Sequence, residues 1–315
     1  MAVPTETHTS YNAVGNREDL SDMIHLVSPT KTPVLSMLSS VPATSTKHEW
    51  QTHALAAASS SNFVIEGDDA TTDAATTTAR VFNYAATSDK VARVSTVQNA
   101  VDTAGRSSEM AFQVETKMKE LKRDVEKIIL ENNAYVVGTS TAARESAGLQ
   151  AYIKTNTSIA SDATASAGTG ADAHTDGTAR ALTESMFETV LGSCWENGGE
   201  PTIAVLNKFQ KQKIANFSGN SSRDISAESK KLVNTVDFYI DPLGNEVRMV
   251  PDQFVPADVI YFIDPEHMKW AVLEDFGMQD LAVTGLSVRK QLWVTGCVEV
   301  CNEAAHGGIY DLSTS

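Results

Sequence analysis

The sequence predicts an α+β fold with three parts: a long amphipathic helix, a projecting hairpin before it and a mixed α/β region after it. The helix is indicated over residues 107–132, where apolar residues recur at steps of three and four. The hairpin is indicated over residues 46–97, where two strand patterns enclose a polar segment with almost no large apolar side chains. A segment that cannot bury a core of its own is expected to complete its structure against neighbouring molecules.

Composition excludes several classes of protein. The formal net charge is −15, and phosphate binding needs clustered Lys and Arg, so most of the surface should repel nucleic acid. Three cysteines are too few for a disulfide framework. No stretch approaches the roughly 20 apolar residues of a membrane helix, and the N-terminus has no basic or apolar targeting segment. We therefore expect a soluble protein made inside a cell.

The N-terminal residues predict an extended arm followed by two short helices. Residues 1–15 are polar, and Asn16 is a candidate N-cap for a helix over residues 16–27. That helix should end before Pro29, because the residue preceding a proline avoids the helical region. Thr32 and Pro33 then begin a further turn of helix, since proline is favoured at the first helical position.

The hairpin is predicted from two strand patterns. Residues 44–52 alternate between two faces, and residues 81–97 are rich in β-branched side chains. With about 13 residues on each side, the arm would reach about 40 Å. Its middle carries an apolar triplet and an acidic turn, Phe63-Val64-Ile65 and Glu66-Gly67-Asp68-Asp69.

The long helix should be about 40 Å long and rigid, with one apolar stripe facing the core. The predicted core residues of this helix are Met110, Val114, Met118, Leu121, Val125 and Ile128. Gly105, just before the helix, is a candidate hinge.

A second region with mixed helices and strands follows the long helix. Residues 138–179 are rich in small residues, and residues 158–177 within them are predicted to form a flexible surface loop. Helices are predicted after Thr183 and Asn207, with a strand over residues 202–206 between them. Further strands are predicted over residues 233–240, 246–250, 259–263, 270–273 and 290–302. The last strand should pair with the base of the hairpin or pack on the long helix.

The candidate chemistry is sparse, and we predict no catalytic, cofactor or metal site. Cys297 and Cys301 share a strand face with Glu299, but positions four apart in a strand are about 13 Å apart, too far to share one ion. The acidic turn lacks the spacing of an EF-hand loop. The sequence contains no nucleophile elbow, phosphate-binding loop or H-E-x-x-H motif. The chain is therefore not expected to be an enzyme.

Contacts between subunits are the more plausible role for the polar arm. Lys90, Arg93 and Arg106 lie near the hairpin base and the start of the long helix. They are either solvated charges or partners for the acidic turn of a neighbouring subunit, where charge complementarity would set register. The candidate contact residues are Phe63, Val64, Ile65, Glu66, Asp68, Asp69, Lys90, Arg93 and Arg106.

Short segments along nearly the whole chain resemble tailed-bacteriophage major capsid proteins of the HK97-like fold, and most closely the phage SU10 major capsid protein family. These segments are NREDL at 16–20, SPTKTP at 28–33, HEWQT at 48–52, EGDDA at 66–70, NKFQKQKI at 207–214, KLVNTVD at 231–237 and NEAAHG at 302–307. Each is weak alone, and their order and coverage make the match specific.

The resemblance implies a capsid shell subunit with four parts. They are an N-terminal arm over 1–42, an extended hairpin or E-loop over 43–98, a peripheral domain over 99–137 and 288–306, and an axial domain over 138–287 and 307–315. The type protein of the fold cross-links a loop Lys to a neighbour's Asn, but no Lys lies between Lys47 and Lys90 here. We therefore predict a non-covalent shell. Because the arm begins almost at Met1, any scaffold should be a separate protein.

The resemblance also implies the partners and the location. The chain should assemble with itself as pentamers and hexamers, with a portal protein, a scaffolding protein and a decoration protein as further partners. Packaged double-stranded DNA would be contacted non-specifically at most, and no membrane is involved. The shell would be assembled in the host bacterial cytoplasm and become the virion capsid. The alternative is another repeating structural protein, such as an encapsulin-like compartment shell or a tail component.

Overall fold

The computed structural model describes residue 26 and residues 28–69, 74–217 and 238–314. The predicted arm over 1–15, the helix over 16–27 except Leu26, and the strand residues 233–237 lie outside them. The helices are α1 (Pro33–Met37), α2 (Thr96–Ala100), α3 (Glu109–Leu130), α4 (Glu184–Glu196) and α5 (Lys208–Ile214). The strands are β1 (Ser39–Pro42), β2 (Lys47–Thr52), β3 (Ala79–Tyr84), β4 (Ala86–Ser95), β5 (Thr157–Ser158), β6 (Ile203–Leu206), β7 (Phe238–Ile240), β8 (Glu246–Pro251), β9 (Ile260–Ile263), β10 (Met268–Asp280), β11 (Ser287–Val300) and β12 (Gly307–Ile309).

The long helix α3 forms within two residues of its predicted ends. Ser108 is its N-cap, and the Ser108 hydroxyl accepts a hydrogen bond from the backbone N–H of Ala111 at 3.3 Å. The helix packs against β4 and β11. None of the helices among the described residues is long and apolar enough to cross a membrane.

A four-stranded sheet in the order β1-β10-β11-β4 supports α3. β11 pairs antiparallel with β4, from Ser287 opposite Ser95 to Gly296 opposite Ala86. Of the two predicted partners for the last long strand, the hairpin base is therefore its ladder partner. β10 also pairs with β11, so the expected boundary between residues 287 and 288 lies within one sheet, at the first residue of β11.

The predicted strand over residues 81–97 is two strands with different partners. β3 pairs with β2 at the base of the projecting hairpin, and β4 pairs with β11. The change of partner occurs at Ala85, which is fully buried and donates its backbone N–H to the Thr46 carbonyl at 2.9 Å. The chain then forms α2 at Thr96–Ala100 instead of continuing as a strand.

The second region contains a six-stranded sheet in the order β5-β12-β9-β6-β8-β7. α4 packs against β12, and the Phe187 ring of α4 lies 4.8 Å from the Phe262 ring of β9. The predicted turn between β7 and β8 forms around Gly244, which has a φ of +91°, and the Gly244 N–H bonds to the Asp241 carbonyl. The two sheets and α3 share one apolar core.

Residues 138–179 are mostly irregular, yet they pack against both sheets. Tyr152 and Ile153 are fully buried in the main core. The prediction of a flexible surface loop over 158–177 is wrong at Ser166 and His174, whose side chains are buried. Buried hydrogen bonds hold this segment in place, and large apolar side chains contribute little. Composition alone does not reveal such hydrogen bonds.

Candidate functional site

The projecting loop, defined as residues 53–78, extends beyond the last paired strand residues of the hairpin. The β2–β3 ladder ends where Thr52 faces Ala79. The described part of the loop carries large apolar side chains that are almost fully exposed: Leu55 at 87%, Phe63 at 87%, Val64 at 85% and Ile65 at 77%. Several exposed apolar groups on one short segment make the loop a candidate interaction site, because single ones need no explanation but clusters do.

The acidic turn directly follows the apolar triplet in the projecting loop. Gly67 adopts a φ of +86°, and the backbone N–H of Asp68 bonds to the Ile65 carbonyl at 3.1 Å. Glu66, Asp68 and Asp69 are exposed. The loop therefore presents an apolar surface with negative charge beside it.

An apolar groove of about 640 Å³ lies between the first half of α3 and the strand hairpin formed by the end of β10 and the start of β11. Its apolar lining comes mainly from Met110, Val114, Met118 and Met278. Three lysines and one glutamate also line the groove: Lys119, Lys122, Lys290 and Glu115. The sequence predicted three of these apolar residues as core, but Val114 and Met118 are only half-buried.

The apolar stripe of α3 enters the main core in its second half, while Met110 near its start is buried in a small cluster with Ala92 and Val94. Leu121 and Val125 are fully buried, as are Ile129 and Leu130. Ile128, a predicted core residue, is half-buried and lies at a second surface depression. The correction follows from helix geometry, because Ile129 stands four residues after Val125 and continues the same face, whereas Ile128 turns toward the edge of that face.

The three basic residues predicted to meet a neighbour have partners in their own chain. Lys90 Nζ lies 2.6 Å from Asp124 Oδ2. Arg106 Nε lies 2.5 Å from Glu109 Oε2, and Arg93 Nε donates to the Ser287 hydroxyl at 3.1 Å. Each of the three therefore has a partner within its own subunit, and a contact with the acidic turn of a neighbour stays a prediction. The lysines around the groove are further candidates for that contact.

A second exposed apolar patch was missed in the sequence. The backbone N–H of Thr96 bonds to the Leu286 carbonyl at 3.2 Å, which joins the end of β4 to the turn between β10 and β11. Four exposed apolar residues flank this junction: Val97, Val101, Val283 and Leu286. Val97 and Val101 follow a β-branched strand pattern without a break, so their exposure could not be predicted from that pattern.

A buried pair connects the hairpin base to the four-stranded sheet. His48 Nε2 of β2 lies 2.8 Å from Glu299 Oε2 of β11, and the Cys301 thiol donates to the other Glu299 oxygen at 3.3 Å. Cys297 is fully buried, and burial raises the pKa of its thiol to about 12. Such a thiol stays protonated at neutral pH, which makes it a poor nucleophile.

One group of side chains among the described residues has the composition of a metal site: His174, Asp176 and Asp311. His174 Nε2 lies 3.2 Å from Asp311 Oδ1. The Asp311 carboxylate also accepts the backbone N–H groups of Ala160 and Gly177, at 2.9 and 2.8 Å. Burial alone would raise the pKa of Asp311, but these donors lower it. The group joins residues 160–177 to the end of the chain by hydrogen bonds.

Solved structures identify the architecture. The chain resembles a capsid protein of cyanophage A-1(L), at 12% identity, with a TM-score of 0.67 and coverage of 98% of this chain and 99% of that one. It also resembles the SrpI encapsulin of Synechococcus elongatus, at 10% identity and a TM-score of 0.57, with coverage of 95% and 93%. These similarities show the fold alone. The chain has the HK97-like fold of phage capsid proteins.

Sequence relatives define the family. The SU10 major capsid protein family matches residues 3–313, so the chain belongs to that family. The major capsid protein of Escherichia phage Phieco32 is 26% identical over 322 residues, which span 90% of this chain and 91% of that protein. The protein is therefore a phage major capsid protein, a structural subunit of the virion shell and not an enzyme. Family membership favours this function over the encapsulin-like alternative.

Proposed function

We propose that copies of this chain close into rings of five and six and hold the shell through the projecting loop, without covalent cross-links. The observation that carries this proposal is the exposed triplet Phe63-Val64-Ile65 on a loop that has no core of its own. Heterologous contacts between identical subunits close into rings when the rotation permits. Each standard interface would bury about 1,600 Å², and an exposed apolar triplet supplies a centre for one.

The groove beside α3 is the surface we propose for the loop of a neighbouring subunit. Methionine side chains adapt to varied apolar partners, which suits the contact with Phe63, Val64 and Ile65. The lysines at 119, 122 and 290 would face the carboxylates of the acidic turn. Lys122 Nζ lies 5.7 Å from the Phe276 ring centre, while Lys119 and Lys290 contact Glu115 and Asp280. These exposed pairs are weak and can exchange partners.

The absence of lysine between Lys47 and Lys90 supports a shell held by non-covalent contacts alone. A loop amine is the nucleophile of the cross-link in the type protein of the fold, and the projecting loop offers none. Many repeated weak interfaces replace it, because subunits that contact several neighbours gain from each contact at once.

The remaining partners follow from the role in a shell. We propose a portal protein, a separate scaffolding protein and, on the outer face, a decoration protein. The DNA inside would be contacted weakly, since a net charge of −15 opposes phosphate binding. Assembly would take place in the host cytoplasm, with the six-stranded region around the ring axis and the α3 region at the periphery.

The test is to replace Phe63, Val64 and Ile65 by Ser together and to examine the particles by negative-stain electron microscopy. The variant is expected to fold with an unchanged circular dichroism spectrum but to give no closed shells, because the triplet is exposed in the subunit. The matched control replaces Ala56, Ala57 and Ala58 of the same loop by Ser and should assemble normally. Closed shells from the triplet variant would refute the proposal.

A further inference from the structure

A buried carboxylate holds the first described helix to the long helix. Glu126 of α3 is fully buried. Its two carboxylate oxygens accept the backbone N–H groups of Val34 and Leu35, each at 2.7 Å. Those N–H groups belong to the first turn of α1 and have no carbonyl partner within that helix. Glu126 thus fixes the point at which the N-terminal part of the chain joins the body of the subunit.

A second buried carboxyl group, that of Asp252, lies beside Glu126 at the same junction. Asp252 follows β8 and is 4% exposed. Its Oδ1 atom accepts the backbone N–H of Phe254 at 3.0 Å. Its Oδ2 atom is buried and has no hydrogen-bond partner within the described ranges. A carboxylate oxygen buried without a donor is costly, and a second carboxylate beside it adds like-charge repulsion.

The charged groups around this pair are few. The α1 sequence PVLSM contains no titratable side chain. One turn before Glu126 on α3, the Arg123 guanidinium lies 5.5 Å from the Phe254 ring centre, so it packs on the segment that follows Asp252. Among the described residues, no ion pair joins Arg123 to either carboxyl group. The pair must therefore balance its charge in another way.

We propose that Glu126 and Asp252 share one proton at neutral pH, and that this proton closes the junction between α1, α3 and the segment after β8. The shared proton gives Asp252 Oδ2 the donor that it otherwise lacks, and it removes one of the two negative charges. Glu126 keeps both of its bonds to α1, because a carboxyl oxygen can donate its proton and accept an N–H at once. Glu126 and Asp252 are thus positioning residues for the N-terminal segment.

The titration of this pair agrees with the geometry. Burial raises the pKa of Glu126 from its ordinary 4.5 to about 8, although the N–H groups of Leu35 and Val34 oppose the shift. Burial also raises the pKa of Asp252. The unfolded chain releases these protons near pH 4, so the folded chain holds more protons between about pH 4 and pH 8. Stability at the junction therefore falls as the pH rises through that window.

The consequence is a pH-sensitive attachment of the N-terminal segment. Below about pH 8 the pair holds its shared proton and a single negative charge, and α1 stays docked on α3. Above that pH two buried carboxylates repel each other, and the cheapest relief is the separation of α1 and the segment after β8 from α3. The residues of α1 would then be released from α3 while the two sheets stay intact.

The experiment measures hydrogen–deuterium exchange of the peptide spanning residues 31–38 in the full-length protein, corrected for intrinsic exchange, between pH 6.5 and pH 9. Protection of the Val34 and Leu35 amides should fall about tenfold over this range, since pH 9 lies one unit above the pKa of Glu126. Glu126→Gln and Asp252→Asn should both remove the pH dependence, because each amide supplies the missing donor. Glu120→Gln, at an exposed ion pair of α3, is the control and should behave as wild type.

Two results would overturn the proposal. One is corrected protection that does not change with pH in the wild type. The other is a fall in protection that persists in Asp252→Asn, which leaves the Glu126 bonds to α1 in place. If the variants fail to fold, infrared spectroscopy of the wild type decides. The carbonyl band of a buried protonated carboxyl group must be present at pH 6.5 and vanish by pH 9, and its absence at pH 6.5 refutes the shared proton.

Discussion

At the scale of single residues, buried polar side chains join segments that lie far apart in the sequence. Asn83 of β3 donates to the carbonyls of Val298 and Ala147, at 2.9 and 3.3 Å, so one side chain ties the hairpin base to β11 and to the irregular segment. His48 and Glu299 make a second link between the hairpin and β11. These links orient the base of the projecting loop, whose tip is free to meet a neighbour.

His48→Ala tests the link between the hairpin and the sheet. The change leaves the Glu299 carboxylate buried without its main partner, so the free energy of unfolding should fall by about 2–3 kcal/mol. Urea denaturation of the unassembled subunit measures this. Glu49→Ala, at the next position of the same strand, is the control and should leave the midpoint unchanged. Equal effects of the two changes would contradict the assignment.

Leu121→Ala and Ile128→Ala separate the core face of α3 from its edge. The first change empties a fully buried site and should cost about 3 kcal/mol of unfolding free energy. The second removes a half-buried side chain and should cost no more than about 1 kcal/mol. Thermal or urea unfolding of both variants under the same conditions gives the comparison. A larger loss of unfolding free energy for Ile128→Ala than for Leu121→Ala would support Ile128 as a core residue and contradict its position at the edge.

Apolar core residues can be predicted from the sequence, whereas buried polar residues cannot. Leu121 and Val125 follow from the 3.6-residue period, because burial of an apolar stripe is a local property of one helix. Asn83, Glu126 and Glu299 do not, since a polar side chain enters the core only where distant segments supply its hydrogen bonds. The partners of Lys90, Arg93 and Arg106 likewise could not be predicted. Lys90 and Arg93 bind residues that are distant in the sequence, and Arg106 pairs with Glu109 only because α3 begins between them.

At the scale of elements, the sequence patterns located α1, α3, α4, α5 and most of the longer strands, but they missed α2, β1, β5 and β12 and did not reveal where a strand changes partner. The pattern over 81–97 continues through Ala85, although β3 and β4 belong to different sheets. The expected boundary between residues 287 and 288 likewise lies within one sheet. Strand pairing depends on two segments that are distant in the sequence, whereas the alternation of side chains is a property of one segment alone.

Two glycine substitutions test the packing of elements in opposite directions. Gly192 lies inside α4 and a Cβ atom there would meet no atom within 4 Å, so Gly192→Ala should stabilise the fold by about 0.5–1 kcal/mol. At Gly148 a Cβ atom would overlap the Glu131 carbonyl oxygen at the end of α3. Gly148→Ala should therefore lower the melting temperature, and a gain in stability there would contradict the packing of residues 138–179 on α3.

At the scale of the whole molecule, the subunit leaves apolar surface at the tip of the projecting loop and at the junction of Thr96 with Leu286. The fold family was accessible from the sequence because short segments match along nearly the whole chain. The groove beside α3 could not be predicted from the sequence, because its lining comes from α3, β10 and β11 together. A single helix pattern cannot distinguish side chains that meet the core from those that line a groove.

A non-covalent shell predicts the behaviour of mature particles under denaturation. After heating in detergent, purified particles should run as one band at the subunit mass of 33.8 kDa, because the projecting loop has no lysine between Lys47 and Lys90. Empty shells assembled in the absence of DNA should give the same band. A ladder of dimers and higher multimers that survives heating and reducing agent would contradict this prediction.

The central claim is that the projecting loop completes the shell on a neighbouring subunit. The most direct measurement is a cryo-electron microscopy reconstruction of the assembled particle at side-chain resolution. We expect the segment from Phe63 to Asp69 of one subunit to lie in the groove of its neighbour, with the carboxylates near Lys119, Lys122 and Lys290. A loop tip that points into solvent, or that folds back on its own subunit, would contradict the claim.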